Sequence, residues 1–420
     1  MTKRTIFSSD NSLSDLQLKF NPKTGELEKA DVRIDEVFGY DYKMEIMSDK
    51  VYLNENDVFC YVKPTCPLCG GRHVKKYGTR SSNKFNDHGL KFDYKVQLYY
   101  CSKCNYKFTT NVDGLIDKHS RYINEIKNKI SDNYKQGYDS LRRMAKKFEI
   151  NLGIKISHQT VRNWYKENLQ KENIIIDSEK HLIKNNMPDL SGYLVYDEEY
   201  LKISGKKHYR LLLFDHINYA PIAEQITDNL KSETIKGFIQ ECSENQNFIS
   251  ITTDAYQSYF KIMKKFGVKH QLCHFHFMKN INDIINNYNF QKRMSEKKYN
   301  YLIEQTQRLK NIFNKETVDE INKEIKYFKR IYDYLPRPIN KYIQGHLVKR
   351  LDHYLHYREN ENIPKTSNNA ENYFQTCDSN CMKKVYRTPE GAELFISHKM
   401  IYWNENFRKI WKMPKTWHFL

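Results

Sequence analysis

The chain has 420 residues, and its 69 Lys and Arg outnumber its 51 Asp and Glu, which leaves a formal net charge of +18. This length predicts two or three domains with at least one sizeable core, and a hydrophobic content of 39% argues against general disorder. The positive charge favours a polyanionic partner, because Lys and Arg neutralise phosphates and release counterions. Nucleic acid is the first candidate, and a generally basic, solvated surface is the plainer alternative.

Neither a membrane span nor a targeting segment is expected. The residues after Met1 form no apolar segment, and no run of 18 apolar residues occurs in the sequence. We therefore expect a soluble protein without a membrane partner, located in the cytoplasm and associated with the nucleoid. In a reducing compartment the nine Cys are not expected to form a disulfide framework, so paired Cys indicate metal ligands.

Residues 1–58 are polar and weakly patterned, and they predict no function. The segment 59–112 carries two pairs of Cys, each spaced as C-x-x-C: Cys66 with Cys69, and Cys101 with Cys104. Each pair places two thiolates on a tight turn, and the next residue, Gly70 or Asn105, tolerates a left-handed backbone. Four thiolates favour one structural Zn²⁺ in a small zinc ribbon. A redox pair or four unrelated core thiols are the alternatives.

Apolar residues recur at helical spacing in the segment 119–170 and predict a compact unit of three helices. Its last two helices, 140–148 and 157–168, resemble a helix-turn-helix, and Ser157 is a good N-cap. In the final helix Val161 and Trp164 are expected in the core. That leaves polar and basic side chains available to a DNA groove, namely His158, Gln159, Arg162, Asn163 and Lys166. The plainer alternative is a helical hairpin with a solvated face.

After a polar linker near 170–190, strands and helices alternate. Strand candidates 193–197, 209–215, 221–226 and 248–254, with a helix over 234–243 before the last, follow the order of a ribonuclease-H-like core. Two of these strands end in acids, Asp197 and Asp254, and a third acid, Glu371, is expected near the start of a later helix. Converging carboxylates suit Mg²⁺ or Mn²⁺.

Four segments together carry a family resemblance: DEEYLKI from Asp197, TDAYQSY from Thr253, CHFH from Cys273 and SNNAENYF from Ser367. They resemble the DDE transposases of prokaryotic insertion sequences, especially the branch related to Mutator-like elements. The resemblance covers about residues 190–405. The zinc ribbon and the helix-turn-helix that precede this region match the usual order of DNA-binding modules in such enzymes.

The resemblance implies a multidomain α/β protein. Its ribonuclease-H-like catalytic core comprises residues 190–279 and 361–405, with a helical insertion at 280–360. It implies that Asp197, Asp254 and Glu371 are the catalytic metal ligands, for Mg²⁺ or Mn²⁺, and that Cys273 and His276 support the active site.

The implied function is that of a DNA transposase. Such an enzyme binds the ends of an insertion sequence, cleaves phosphodiesters with two divalent ions, and joins the freed 3′-hydroxyls to target DNA. The implied partner is double-stranded DNA, as transposon ends and as target. Pairing two ends calls for a homodimer or a higher oligomer.

Several site residues have alternative interpretations. Glu199 shares a strand face with Asp197 and is either a further metal ligand or a solvated neighbour. Asp215 also ends an apolar run and could replace Asp197 or Asp254, but the order of acids in the family argues against this and leaves it as a candidate for a supporting role. Glu371 is compatible with a capping box that begins at Asn368. Cys273 and His276 are alternatively core residues at a strand end.

Two other classes of function remain open from the sequence. One is a regulator that is derived from a transposase and binds DNA without cleaving it, which the three acids disfavour. The other is a nuclease of the ribonuclease H fold without strand transfer, which the zinc and helical modules disfavour.

Overall fold

The computed structural model describes most of the chain after residue 50. It describes residues 51–85, 91–113, 116, 120–136, 139–153, 155–187, 189–377, 382–384 and 386–408, together with the paired short strands β1 (Leu18–Phe20) and β2 (Leu27–Lys29). The chain divides into two compact units, Met1–Tyr165 and Lys166–Leu420. Most of the region 1–58 lies outside the described residues.

The first unit contains a five-stranded sheet around the two Cys pairs. Its strands pair in the order β3-β4-β6-β5, and β7 pairs with β6. Stacked aromatic rings form its small core, with Tyr99 fully buried and its ring 5.3 Å from that of Phe108. The strands are β3 (Val51–Leu53), β4 (Val58–Tyr61), β5 (Val74–Phe85), β6 (Lys91–Cys101) and β7 (Lys107–Thr109).

Three helices follow this sheet: α1 (Asn124–Gln136), α2 (Leu141–Leu152) and α3 (His158–Lys171). Ser140 caps α2, since its hydroxyl accepts from the N–H of Arg143 at 3.3 Å, and α2 ends at the left-handed Gly153. Ser157 precedes α3 and accepts from the N–H of Thr160 at 3.0 Å. Because α2 continues to Leu152, the connection between the last two helices is shorter than the sequence suggested.

The second unit is built on a seven-stranded mixed sheet with the order β14-β13-β10-β11-β12-β9-β8. Strands β10, β13 and β14 run parallel to one another, and the other pairs are antiparallel. The strands are β8 (Ile174–Asp177), β9 (Leu182–Asn185), β10 (Tyr193–Ile203), β11 (Lys206–Asp215), β12 (Ala220–Thr227), β13 (Ser250–Thr253) and β14 (Lys269–Leu272).

The expectation of a polar linker near 170–190 was wrong. Strands β8 and β9 occupy this segment and extend the sheet, because Ile174, Leu182 and Ile183 are buried there. The three consecutive Ile that begin at Ile174 were the signal for a strand.

Helices cover both faces of this sheet. On one face, α4 (Ser232–Ser243) and α5 (Gln257–Phe266) pack against a core that includes Leu194, Tyr196 and Leu211. On the other face, α12 (Asn368–Cys377) and the long α13 (Pro389–Asn406) contribute to a core with Val195, Leu212 and Phe214. Alternate residues of β10 therefore point to different helical layers.

A helical region connects β14 to α12 and has an apolar core of its own, which includes Phe277, Leu302, Phe328 and Tyr354. Shorter 3₁₀ and π segments interrupt the region. Its α-helices are α6 (His274–Asn287), α7 (Phe290–Arg293), α8 (Glu296–Lys310), α9 (Val318–Ile331), α10 (Arg337–Tyr342) and α11 (Leu351–Leu355). None of the helices among the described residues is long and apolar enough to cross a bilayer.

Candidate active site

Two of the predicted acids lie side by side where parallel strands of the sheet separate. Val195 of β10 pairs with Thr252 of β13. Asp197 lies two residues beyond Val195, and Asp254 lies two residues beyond Thr252, so the two acids are at the same level. Cys273 directly follows β14, and its N–H donates to the carbonyl of Thr253 at 2.8 Å. This edge of the sheet therefore brings together three of the predicted site residues.

Asp197 does not end its strand, contrary to the expectation from the sequence. Strand β10 continues to Ile203, paired with β11 along this length and bridged to Tyr386 at Ile203, whereas β13 ends at Thr253. The parallel neighbour thus stops at the acids while the hairpin continues. Pairing with Leu212 of β11 still holds the backbone of Asp197 in place.

The alternation of side chains along β10 explains how Glu371 reaches this edge. Val195 packs in the cluster that contains Ala370 and Tyr373 of α12. Asp197 is two residues further along and points to the same layer. Asp197, His276 and Glu371 each offer a ligand atom within 4.8 Å of the other two. We call Asp197, His276 and Glu371 the acid cluster, after its two carboxylates.

Asp254 is not a member of this closest group, but it lies beside it. Its carboxylate Oδ1 accepts from the N–H of Tyr256 at 2.9 Å, and its charge affects the pKa values of Asp197 and His276. All three predicted catalytic acids are thus close enough to interact electrostatically.

Cys273 and His276 occupy different places relative to the acid cluster. The sulfur of buried Cys273 accepts from the backbone N–H (3.3 Å) and the hydroxyl (3.4 Å) of Ser367. The same hydroxyl lies 3.2 Å from Nδ1 of His276, whose Nε2 lies 3.4 Å from Oε1 of Glu371. Cys273 therefore contacts the site through Ser367, a residue that sequence reasoning did not single out.

Glu371 is not the partner in a capping box. Helix α12 begins at Asn368, and the N–H of Glu371 donates to the carbonyl of Ser367 at 3.2 Å, so Ser367 is the N-cap. The third helical position is then Ala370, and a capping box needs its acid there. The carboxylate of Glu371 instead belongs to the acid cluster.

The pKa values of these groups reflect burial and mutual repulsion. Burial raises the pKa of Asp197 well above its usual range, and the charges of Glu198, Asp254 and Glu371 raise it further. Burial also raises the pKa of Asp254 and raises that of Glu198 to about 7. For His276 burial lowers the pKa, against the opposing effect of Asp254 and Glu371. A bound cation would relieve this repulsion among the acids.

Comparison with known proteins identifies the family. Residues 130–378 match the model of the transposase IS66 family. The chain is also 35% identical over 414 residues to the "insertion element ISM1 uncharacterized 48.3 kDa protein" of Methanobrevibacter smithii. The alignment covers 98% of this chain and 100% of that protein. The chain belongs to the IS66 transposase family. Neither match identifies the Mutator-related branch that the motifs resemble.

A solved structure, the Drosophila P element transposase strand transfer complex, is similar to this IS66-family transposase over 70% of this chain and 95% of that one. The TM-score is 0.35 and the sequence identity is 10%.

The acids next to Asp197 in this transposase have structural partners. Glu199 forms ion pairs with buried Arg210 (3.0 Å) and with Lys383, so it is neither a solvated neighbour nor a member of the acid cluster. Glu198 points to the opposite face of β10 and accepts a hydrogen bond from the hydroxyl of Tyr259. No local pattern in the sequence indicates these partners, which lie on other elements.

Asp215 has a structural role and does not approach the acid cluster. It pairs with Leu194, three residues before Asp197 along β10. Its buried carboxylate accepts from the N–H and hydroxyl of Ser191 at 2.7 and 2.6 Å, and from the backbone and side-chain N–H groups of Asn218 at 2.9 and 3.0 Å. The supporting role that its position suggested was therefore wrong, because this end of the strand lies away from the acids.

The structure brings the four predicted thiols together in the first unit. Sγ of Cys66 lies 3.5 Å from Sγ of Cys104, and Sγ of Cys69 lies 3.7 Å from Sγ of Cys101. A tetrahedron with Zn–S distances of about 2.3 Å has S–S edges of about 3.8 Å, so these separations fit one Zn²⁺. Gly70 and Asn105 have φ values of 65° and 58°, the left-handed backbone that each turn requires.

Helix α3 presents the polar side chains that its sequence suggested. Val161 and Trp164 are buried, whereas His158, Gln159, Asn163 and Lys166 are exposed and Arg162 is partly exposed. The exposed residues carry amides and positive charge, which are groups that bind base edges and phosphates.

Proposed function

We propose that this IS66-family transposase is a DDE enzyme in which Asp197, Asp254 and Glu371 bind two Mg²⁺ or Mn²⁺ ions. The observation that carries the proposal is that Asp197 and Asp254 each lie two residues beyond the paired Val195 and Thr252 of adjacent parallel strands, and that Glu371 of α12 lies close to Asp197. The antiparallel strands β10, β11 and β12 are followed along the chain by β13 and β14, which run parallel to β10, and helices cover both faces of the sheet. This arrangement supports a ribonuclease-H-like core.

The donor set fits these ions. Carboxylate oxygens are the ligands that Mg²⁺ and Mn²⁺ prefer, and the acids repel one another without a cation between them. Bound there, the ions would activate a water or a DNA 3′-hydroxyl and stabilise the leaving oxygen of an in-line displacement. The same site can then act in cleavage of the element's ends and in their joining to target DNA.

The protein's own groups hold the acids in position. Strands β10 and β13 orient Asp197 and Asp254 through the sheet. His276 contacts Glu371 and is itself in contact with the hydroxyl of Ser367, which donates to Cys273. We infer that Cys273 and His276 support the active site by fixing the carboxylate of Glu371, as hydrogen-bonding neighbours of metal ligands do in other metal sites.

Two further parts of the proposal concern DNA. The Cys pairs hold one structural Zn²⁺ in a zinc ribbon, and α3 is the recognition helix of a helix-turn-helix that binds the ends of the insertion sequence. Since two ends must be brought together, we propose that the active complex is a homodimer or a higher oligomer.

The test uses the full chain and a labelled duplex that carries a terminus taken from the DNA flanking the gene. We expect Mg²⁺-dependent release of a 3′ end and its joining to a second duplex, both abolished by EDTA. Specific binding to the terminus without cleavage in Mg²⁺ or Mn²⁺ would contradict the proposal and favour a DNA-binding regulator. Cleavage without joining would favour a nuclease.

A further inference from the structure

Two large aromatic side chains are exposed at the edge of the sheet where the acids lie. Tyr256 is 52% exposed and follows Asp254 by two residues, and Phe275 is 43% exposed and directly precedes His276. One exposed aromatic residue needs no explanation. Two of them, beside two different residues of the proposed active site, suggest a shared ligand.

Each aromatic ring is held in place by a contact with the site. The N–H of Tyr256 donates to the carboxylate of Asp254 at 2.9 Å, and its ring packs edge-on against Tyr259, with 5.4 Å between centroids. Tyr259 in turn donates to Glu198. The ring of Phe275 packs edge-on against His276, with 5.9 Å between centroids. The backbone of Tyr256 and the ring of Phe275 therefore each contact a residue of the proposed active site, while a large part of each ring stays exposed.

The chemistry of these rings indicates which part of a DNA substrate they contact. A phosphate held by the metal ions that the acids bind would bring the adjoining nucleotides to the same edge of the sheet. Phenyl and phenol faces offer stacking surfaces of the kind that nucleic-acid bases occupy. Inside a duplex these base faces are covered by neighbouring bases, so a base must leave the stack to reach an aromatic ring.

We propose that Tyr256 and Phe275 form a stacking platform for an unpaired base next to the scissile phosphate. This inference rests on the proposed function, because metal ions held by the acids must first bind that phosphate. The platform would lower the cost of opening the end of the element at the point of cleavage. It also predicts that cleavage of a substrate already unpaired at that point depends less on the two rings.

The experiment compares Tyr256→Ala and Phe275→Ala with wild type in single-turnover cleavage of two duplexes. One duplex is fully paired, and the other carries a mismatch beside the cleavage position. Tyr256→Phe and Phe275→Tyr keep a ring and serve as conservative variants. Tyr288→Ala is the matched control, because Tyr288 is 45% exposed but caps the opposite end of α6.

On the paired duplex we expect each alanine variant to cleave about tenfold or more slowly than wild type, since base–aromatic stacking of ordinary strength corresponds to such a factor. The mismatch should restore most of this loss, and the ring-keeping variants and Tyr288→Ala should cleave as wild type. A 2-aminopurine placed beside the cleavage position, with protein bound in Ca²⁺ in place of Mg²⁺, should change its fluorescence with wild type and less with the alanine variants.

The outcomes separate this inference from the proposed function. A wild-type protein that cleaves neither duplex contradicts the proposed function itself. A wild-type protein that cleaves, with alanine variants that match it on both duplexes, overturns the stacking platform alone. An equal loss on paired and mismatched duplexes also overturns it, because the rings would then act on something other than an unpaired base.

Discussion

Nε2 of His276 lies 3.4 Å from Oε1 of Glu371, although the two residues belong to helices that begin at opposite ends of the helical region. Helix α6 starts directly after β14, and α12 starts after the last segment of that region. The two helices meet because both begin beside the acids, where Ser367 contacts Cys273 and His276. A long stretch of chain can therefore separate Asp254 from Glu371 without separating them in space.

His276→Ala is expected to weaken Mn²⁺ binding and Mn²⁺-dependent cleavage without preventing DNA binding. The imidazole holds the Glu371 carboxylate, and the loss of such a neighbour typically lowers metal affinity or activity by about 10- to 100-fold. The measurement is Mn²⁺ binding by electron paramagnetic resonance, beside cleavage at increasing Mn²⁺. Phe275→Tyr, at the neighbouring position, should bind Mn²⁺ as wild type does. An unchanged Mn²⁺ affinity in His276→Ala would remove this supporting role.

The buried Arg210 is expected to be a main determinant of stability. Arg210 is fully buried, pairs with Glu199 at 3.0 Å and with Glu224, and Tyr373 of α12 donates to Glu224. Arg210→Met leaves Glu224 as an unpaired buried carboxylate, which should lower the free energy of unfolding by about 3–5 kcal/mol. Urea denaturation measures this change. The exposed Arg293, changed to Met, is the control, and equal stability of both variants would contradict the expectation.

The zinc ribbon of the first unit is expected to require zinc for its fold. Its core is small, and four thiolates without a cation would repel one another. Elemental analysis should find about one Zn per chain. Combining Cys66→Ser with Cys101→Ser should remove the metal and unfold the ribbon, whereas Cys242→Ser, which changes a buried thiol of α4, should leave both the metal and the ribbon unchanged. A folded ribbon in the double variant, with no metal bound, would contradict this prediction.

Substitutions in α3 are expected to weaken binding to the element's ends while the protein stays folded. If the residue contacts a base edge, Arg162→Ala or Lys166→Ala should weaken the binding free energy by about 1–3 kcal/mol. If it contacts a phosphate, the substitution should mainly reduce the salt dependence of binding. Fluorescence anisotropy at several salt concentrations measures both effects. Lys206→Ala, an exposed cation on β11, is the control. Unchanged binding in both α3 variants would exclude α3 as the recognition helix.

Local patterns in the sequence predicted those elements and residues whose structure depends on their neighbours along the chain. The spacing of the Cys pairs, the N-cap at Ser157 and the apolar strands that lead to Asp197 and Asp254 are readable within a few residues. The length of β10 was not readable, because its extension to Ile203 depends on pairing with β11. The separation of Glu199 from the acid cluster likewise depends on Arg210 and Lys383, which are distant in sequence.

Asp215 shows why position in a strand is an incomplete guide to function. It ends an apolar run as Asp197 seemed to do, but antiparallel pairing places it toward the opposite end of β10. Four hydrogen bonds from Ser191 and Asn218 then satisfy its carboxylate. Only the direction of pairing, which the sequence does not contain locally, distinguishes the two acids.

Single-turnover cleavage of a terminus-bearing duplex in Mg²⁺, with binding measured in parallel, tests most directly whether the three acids hold the catalytic metal ions. Asp197→Asn, Asp254→Asn and Glu371→Gln should each abolish cleavage and joining while binding persists, because the amides keep the shape but lose the charge that holds metal. Asp215→Asn should lower stability yet retain cleavage per folded molecule. Wild-type cleavage by Glu371→Gln, or loss of cleavage in folded Asp215→Asn with Asp254→Asn active, would contradict the assignment.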